Sequence, residues 1–242
     1  MEEYNPKGYV IRISEDVLIQ MCLSGLEAYS IAHKGGEYRR RGVETFGLLW
    51  GHEIKLPDEK TLYCVELLSI DTSAERKDVS CDPVDATLEL KRDILTSFWP
   101  QYDFLGDFHT HPHDTKDEVI NDKLYEFSKQ DIKSVEGRSK FWLSHNYRVG
   151  LVLTIAKLER KSDREHRWIG TNTIELTLGN YRLWLNGYIT YLDNSTKIRL
   201  STHVDDNVIL DCPAILGMVG EYTEFGRGIR KRITRRHRPG II

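Results

Sequence analysis

Tyr102-Asp103-Phe104-Leu105-Gly106-Asp107-Phe108-His109-Thr110-His111-Pro112 is the stretch on which the fold turns. It is apolar up to Phe108, punctuated by Gly106 and Asp107, and reads as a strand entering a turn. Successive strand side chains face opposite sides, so His109 and His111 project together while Thr110 points away. Pro112 has no N–H to donate and is expected to stop the ladder. Two imidazoles converging at the mouth of a sheet make half of a metal site.

Outward from this strand the pattern mixes helix and strand. Residues 8–13 read as a short strand, and Ser14 caps a helix running to about His33. Thr45 to Trp50 and Thr61 to Ile70 are strands. Pro83 stands at the first position of a helix whose apolar residues Val84, Leu88, Ile94, Leu95 and Phe98 give it one buried face. Asp117 to Lys133 reads as one helix with a stripe of Val119, Ile120, Leu124, Phe127 and Ile132. Phe141-Trp142-Leu143 and Val149 to Leu158 are strands, and the charged tract from Lys157 to Arg167 is a solvated hairpin or loop. Thr171–Leu178 and Tyr181–Tyr191 form a β-hairpin turning near Gly179-Asn180, whereas 195–225 carries no clear pattern. Trp50, Trp142, Trp184, Tyr188 and Tyr191 are assigned to packing, and His145 and His203 to structural or surface positions. Without regular βαβ alternation, the class is α+β with a mainly antiparallel or mixed sheet.

The chain has 242 residues, 40% hydrophobic and 29% charged, as expected of a globular protein. A net charge of −3 gives no global bias toward nucleic acid or membrane. The tail from Gly226 carries six Arg, one Lys and no acid, leaving the rest of the chain clearly acidic. No run is long and apolar enough to span a bilayer, and the start is unlike a signal peptide. Cys22, Cys64, Cys81 and Cys212 have no framework spacing, which suggests buried thiols in a reducing, cytoplasmic setting.

A hydrolytic zinc centre needs three protein ligands and an open position. His109 and His111 supply two nitrogens, and Asp114, Asp117, Asp122 and Asp131 are candidates for a carboxylate ligand. Ser128 and Asp131, related i, i+3, share a helix face. Glu44 stands just before the apolar strand Phe46-Gly47-Leu48-Leu49-Trp50-Gly51, where a charge is out of place, and is a candidate base.

Together these residues resemble the JAMM family, the zinc isopeptidases of the JAB/MPN (cytidine-deaminase-like) fold. The family pattern is a Glu upstream of a Gly-Leu-Leu-x-Gly-like strand, then His-Ser/Thr-His-Pro, then Ser-x-x-Asp. Here these are Glu44 with Gly47-Leu48-Leu49-Trp50-Gly51, His109-Thr110-His111-Pro112, and Ser128-Lys129-Gln130-Asp131. The resemblance covers roughly residues 8–160. It implies that His109, His111 and Asp131 bind one Zn²⁺, that Glu44 is the general acid/base, and that Ser128 stabilises the oxyanion. It also implies a substrate, namely a ubiquitin or ubiquitin-like protein or its conjugate, and partners among E1/E2-like pathway proteins. Stand-alone members in bacterial and phage genomes are the nearest setting. No membrane partner is implied, and nucleic acid only weakly, through the basic tail.

The expected organisation is a JAB/MPN-like domain over 1–160 with an insert at about 113–127, a β-rich extension over 161–225 that packs on or continues it, and a basic tail over 226–242. The insert marks a departure, because the segment from Pro112 to Ser128 is longer than in the family. Either it forms an extra lobe beside the cleft, or Ser128-x-x-Asp131 is a chance match and another Asp ligates. His113 in it reads as a group supporting the metal ligands or, preferably, as a solvated loop residue. Two other functions remain in view. One is a non-catalytic MPN-like scaffold that binds partners. The other is a peptidase acting on a small sulfur carrier or a cell-wall peptide.

Overall fold

The computed structural model describes residues 8–31, 42–77, 80–137, 147–160, 162, 166–191 and 207–215. Phe141-Trp142-Leu143, His145, His203, the side chain of Tyr191 and the basic tail, all singled out above, lie outside the described residues.

Strands β1 (Tyr9–Ile13), β2 (Phe46–Lys55), β3 (Thr61–Ile70), β4 (Glu75–Lys77), β5 (Ser80–Asp82), β6 (Asp103–His113), β7 (Tyr147–Lys157), β8 (Arg167–Trp168), β9 (Thr173–Leu178), β10 (Tyr181–Tyr191) and β11 (Val208–Asp211) alternate with helices α1 (Glu15–Ser30), α2 (Asp85–Phe98), α3 (Lys116–Asn121) and α4 (Lys129–Gly137). Among the described residues, nine strands form one mixed sheet in the order β11-β1-β3-β2-β6-β7-β10-β9-β8, and β4 and β5 pair separately. β6 is central, antiparallel to β2 and parallel to β7. The class is therefore α+β with a large mixed sheet flanked by helices.

The sheet curls until its ends meet. The Leu210 amide on edge strand β11 donates to the Thr171 carbonyl at 2.8 Å, and the Trp168 indole on the opposite edge donates to the Leu210 carbonyl at 3.3 Å. Inside the curl, Ile11, Val65, Leu151, Leu185 and Leu210 pack with Val17, Leu18 and Met21 of α1, all nearly or fully buried. Ser14 caps α1, accepting from the Val17 amide at 3.4 Å. Outside the curl, Phe46, Leu48, Trp50 and Phe104 form a second cluster with Cys81 and Leu88 of α2.

A bulge in β6 decides which face carries the histidines. Trp50 pairs with Phe104 and Leu49 with Gly106, so Leu105 is an extra residue. Phe104 packs in the outer cluster, while Leu105 and Phe108 pack in the inner one. The alternation is reversed beyond the bulge, so His109 and His111 stay outside while Phe108 and Thr110 face α1. Gly106 makes the bulge possible. It has φ 154°, and a Cβ there would run into the backbone of Val149.

Several expectations need correction. Pro112 does not end its strand, because the ladder with β7 continues through Pro112 and His113. β2 pairs only as far as His109, so Pro112 lies where β6 has lost one neighbour and a missing donor is tolerated. Pro83 precedes α2 rather than opening it. Buried Asp71 accepts from the Val84 amide at 3.4 Å, and the helix starts at Asp85. On α2 only Leu88 is buried and Leu95 partly so. Ile94 and Phe98, with Leu90, form a second stripe that faces solvent, and Val84 is exposed.

The single helix expected over 117–133 is two helices. α3 ends at Asn121, and Ser128 caps a new start at Lys129. Ile120 on the expected stripe is exposed. The hairpin of β9 and β10 forms as expected, and β10 joins β7, so the late strands extend the sheet. Trp50, Trp184 and Tyr188 are buried, as are all four cysteines. Among the described residues no helix is long and apolar enough to cross a membrane.

Gly106→Ala is expected to cost about 3 kcal/mol, because its Cβ meets backbone that cannot yield. Gly179→Ala, also at positive φ but with nothing near its Cβ, should cost about 1 kcal/mol. Urea unfolding of the two variants checks the difference; equal costs would remove the bulge from the argument.

Candidate metal centre

The site grows from the outer face of β6. His109 and His111, two residues apart beyond the bulge, bring their Nε2 atoms to 3.1 Å. α4 supplies the third group. Asp131 Oδ1 lies 3.3 Å from His109 Nε2, and its Oδ2 lies 3.6 Å from His111 Nε2. Among the described residues this trio is the group placed to hold a metal ion. Ligand bonds of about 2.0–2.2 Å at tetrahedral angles give donor–donor separations of about 3.3–3.6 Å, close to those seen. Two imidazole nitrogens and one carboxylate oxygen lining a cleft make a donor set that could hold a divalent transition-metal ion.

Asp131 is held by a local device. Ser128 Oγ accepts from the Asp131 amide at 3.1 Å, while the Asp131 carboxylate accepts from the Ser128 amide at 2.7 Å. This is a capping box, with Asp at the third helical position in place of Glu. The Ser-x-x-Asp spacing therefore has a structural reason and a ligand reason at once. The cap fixes the carboxylate that faces the histidines.

Of the other carboxylates proposed as ligands, Asp114 and Asp117 are exposed, and Asp117 lies 3.7 Å from Lys116. Asp122 stands at the exposed rim of the cleft.

Glu44 reaches the same cleft. The Thr110 amide donates to the Thr45 carbonyl at 3.1 Å, and the Thr45 amide donates to Thr110 Oγ1 at 2.9 Å. Phe46 pairs with His109, so continuing that register sets Glu44 beside His111. The cleft holds about 730 Å³ and is lined by Glu44, Asp82, Asp107, the histidines, Ser128 and Asp131, among others. Cys81 and Asp82 of β5 form part of its wall.

Charge is tuned across these groups. Burial pushes the Glu44 carboxyl up to about 7; Asp131 and Asp82 add to the rise, while His111 and a backbone hydrogen bond from Cys81 oppose it. Burial also opposes ionisation of Asp131, but hydrogen bonds and charge from His109 and His111 overcome it and hold that carboxyl well below its ordinary range. For His111, burial works against the cation, and Asp131, Glu44 and the Leu124 carbonyl outweigh it, so the net direction is upward.

Sequence reasoning missed several members of the site. Asp107, on the outer face two residues before His109, pairs with buried Arg148 of β7 beneath the cleft. Burial lowers the Arg148 guanidinium to about 10, still far above neutrality, so it remains charged. Phe127 stacks on Tyr188 with ring centroids 3.6 Å apart. The detectable signal was a charge inside an apolar run, as at Glu44; Asp107 carried the same signal. His113 is not a fully solvated loop residue. It ends β6, is partly buried and lies 3.6 Å from Glu118.

Two outcomes follow. Zinc titration with elemental analysis should give one metal per chain; Asp131→Asn should lose it while keeping the cap, and His109→Ala should lose it too. A folded wild type that retains no divalent metal would end the metal reading. The raised Glu44 carboxyl also sets a pH dependence in the metal-free protein. Folding favours its protonated form, so this group's contribution is best below pH 4.5 and declines as pH rises to about 7. At pH 8, Glu44→Gln should therefore be more stable than wild type by about 3 kcal/mol, the order expected for a shift of this size, and the gain should nearly vanish at pH 4.5. Thermal unfolding at the two pH values checks this.

Compared with protein-family models and with curated proteins, the chain matches none.

Proposed function

We propose that this chain is a zinc-dependent isopeptidase or peptidase of JAMM type on a JAB/MPN-like fold. The observation that carries the reading is the convergence of residues distant in sequence. His109, His111 and Asp131 come within ligand spacing of one another, and Glu44 and Ser128 line the same cleft. Such a set is more than a fold requires, and it matches the chemistry of amide hydrolysis.

When bound, the metal supplies Lewis acidity that polarises a carbonyl and activates water. The chain's residues do the rest. Glu44 would accept a proton from the attacking water and return it to the leaving nitrogen. The Ser128 oxygen accepts from the Asp131 amide, and its O–H would donate to the oxygen that becomes negative. Arg148 and Asp107 keep the floor beneath rigid. Cys81 and Asp82 of β5 line one wall of the cleft, and an extended C-terminal tail of a ubiquitin-like modifier would run beside that wall.

A ubiquitin-like protein joined to a lysine by an isopeptide bond is the substrate to test. Wild type loaded with zinc should release the modifier, and Glu44→Gln should lower kcat by about 100-fold or more with zinc content unchanged. Cleavage that proceeds unaltered in Glu44→Gln would overturn the mechanism.

A further inference from the structure

We propose that the lengthened segment between Pro112 and Ser128 is a working part of the metal centre. Its Leu124 carbonyl, latched by the Thr154 hydroxyl, orients the His111 imidazole. The inference rests on the metal reading above and deepens it.

His111 Nδ1 lies 3.5 Å from the Leu124 carbonyl oxygen, at the outer limit of a hydrogen bond. Thr154 Oγ1 donates to that same oxygen at 3.2 Å. A carbonyl has two lone pairs and can accept both. Thr154 is fully buried and sits directly opposite His111 in the β6–β7 ladder. A buried hydroxyl within the run Leu151–Ala156 needs a partner, and it finds one in a segment outside the sheet.

The chain delivers this carbonyl by a defined turn. α3 ends with Lys123 in the left-handed region at φ 51°. The Leu124 amide then bonds back to the Val119 carbonyl at 3.0 Å, a Schellman closure. Glycine is usual at that position, so a lysine there carries a conformational cost of about 1 kcal/mol. The segment is also anchored. Val119 is buried with Ala156 and Trp184, Tyr125 stacks on Trp184 with centroids 6.5 Å apart, and Phe127 stacks on Tyr188.

A carbonyl facing Nδ1 favours the form that carries a proton there, which leaves Nε2 to ligate a metal ion held together with His109 and Asp131. Thr154 and Leu124 are thus positioning residues: they act through His111.

The test uses the full chain, with zinc as the probe. Thr154→Val removes the hydroxyl and keeps the volume; Thr154→Ser keeps the hydroxyl. Chelator competition should show zinc binding about 10-fold weaker in Thr154→Val and restored in Thr154→Ser. Nitrogen-15 NMR of the zinc-loaded protein should show the His111 Nδ1–H hydrogen-bonded and slow to exchange with water in wild type and Thr154→Ser, and fast to exchange in Thr154→Val. Wild-type affinity and exchange in Thr154→Val would overturn the proposal. Should Thr154→Val fail to fold, Lys123→Pro, which forbids the left-handed φ at an exposed site, must produce the same two changes. A wild type that binds no zinc sinks the metal reading, and the proposal with it. A wild type that binds zinc but whose His111 Nδ1–H exchanges fast sinks the orientation alone.

Discussion

Leu105 stands as an extra residue in the ladder between β6 and β2, and it reverses the facing of every residue after it. Without it, His109 and His111 would share a face with Phe104's inward counterparts and lie in the apolar interior against α1. Two imidazoles there would face Leu, Ile and Val with no polar partner, an expensive burial. With it, they stand on the outer face with Asp107, and Phe108 and Thr110 turn inward. The bulge depends on Gly106, because no other residue fits against the Val149 backbone. Bulges of this kind re-aim side chains beside functional sites, and here one backbone irregularity supports both the inner core and the outer site.

The outer site is then assembled from devices that are mostly local. A capping box fixes Asp131, two hydrogen bonds between Thr45 and Thr110 fix the approach of Glu44, and a buried ion pair fills the floor. Each is ordinary structural chemistry whose by-product is a placed functional group. Together they hold Glu44 largely buried in one cleft with Asp82 and Asp131, so the site works against its own stability: burial first, and the two carboxylates after it, raise the Glu44 carboxyl. A cation bound by His109, His111 and Asp131 would offset part of the carboxylate repulsion and stabilise the folded chain.

Much of this was legible in the sequence. The His109/His111 pair, Glu44, Ser128 and Asp131 are recognisable from residue type and order, because ligand chemistry restricts which residues can serve. Strand Thr61–Ile70 and the hairpin of β9 and β10 follow from β-branched runs broken by Gly179-Asn180. What escaped was set by tertiary context. The bulge at Leu105 has no local signature beyond Gly106. Pro112 reads as a stop but sits where β6 has already lost one neighbour. The apolar spacing of 117–133 suggests one helix because Leu124 and Phe127 are apolar, yet they serve a turn and an aromatic stack. A left-handed lysine at 123 cannot be anticipated, since lysine is a good helix former.

The segment from Pro112 to Ser128 shows why length alone is a poor guide to what a segment does. A longer connection costs little extra closure entropy, so added residues are tolerated wherever their backbone groups find partners. Here Val119, Tyr125 and Phe127 dock on β7 and β10 and fix the segment at three points. A chain so constrained between β6 and α4 can hold a carbonyl beside His111 while delivering Asp131 from the other side. The mutual spacing of His109, His111 and Asp131 does not depend on the length of this path, because the sheet sets the two histidines and a helix cap sets the aspartate.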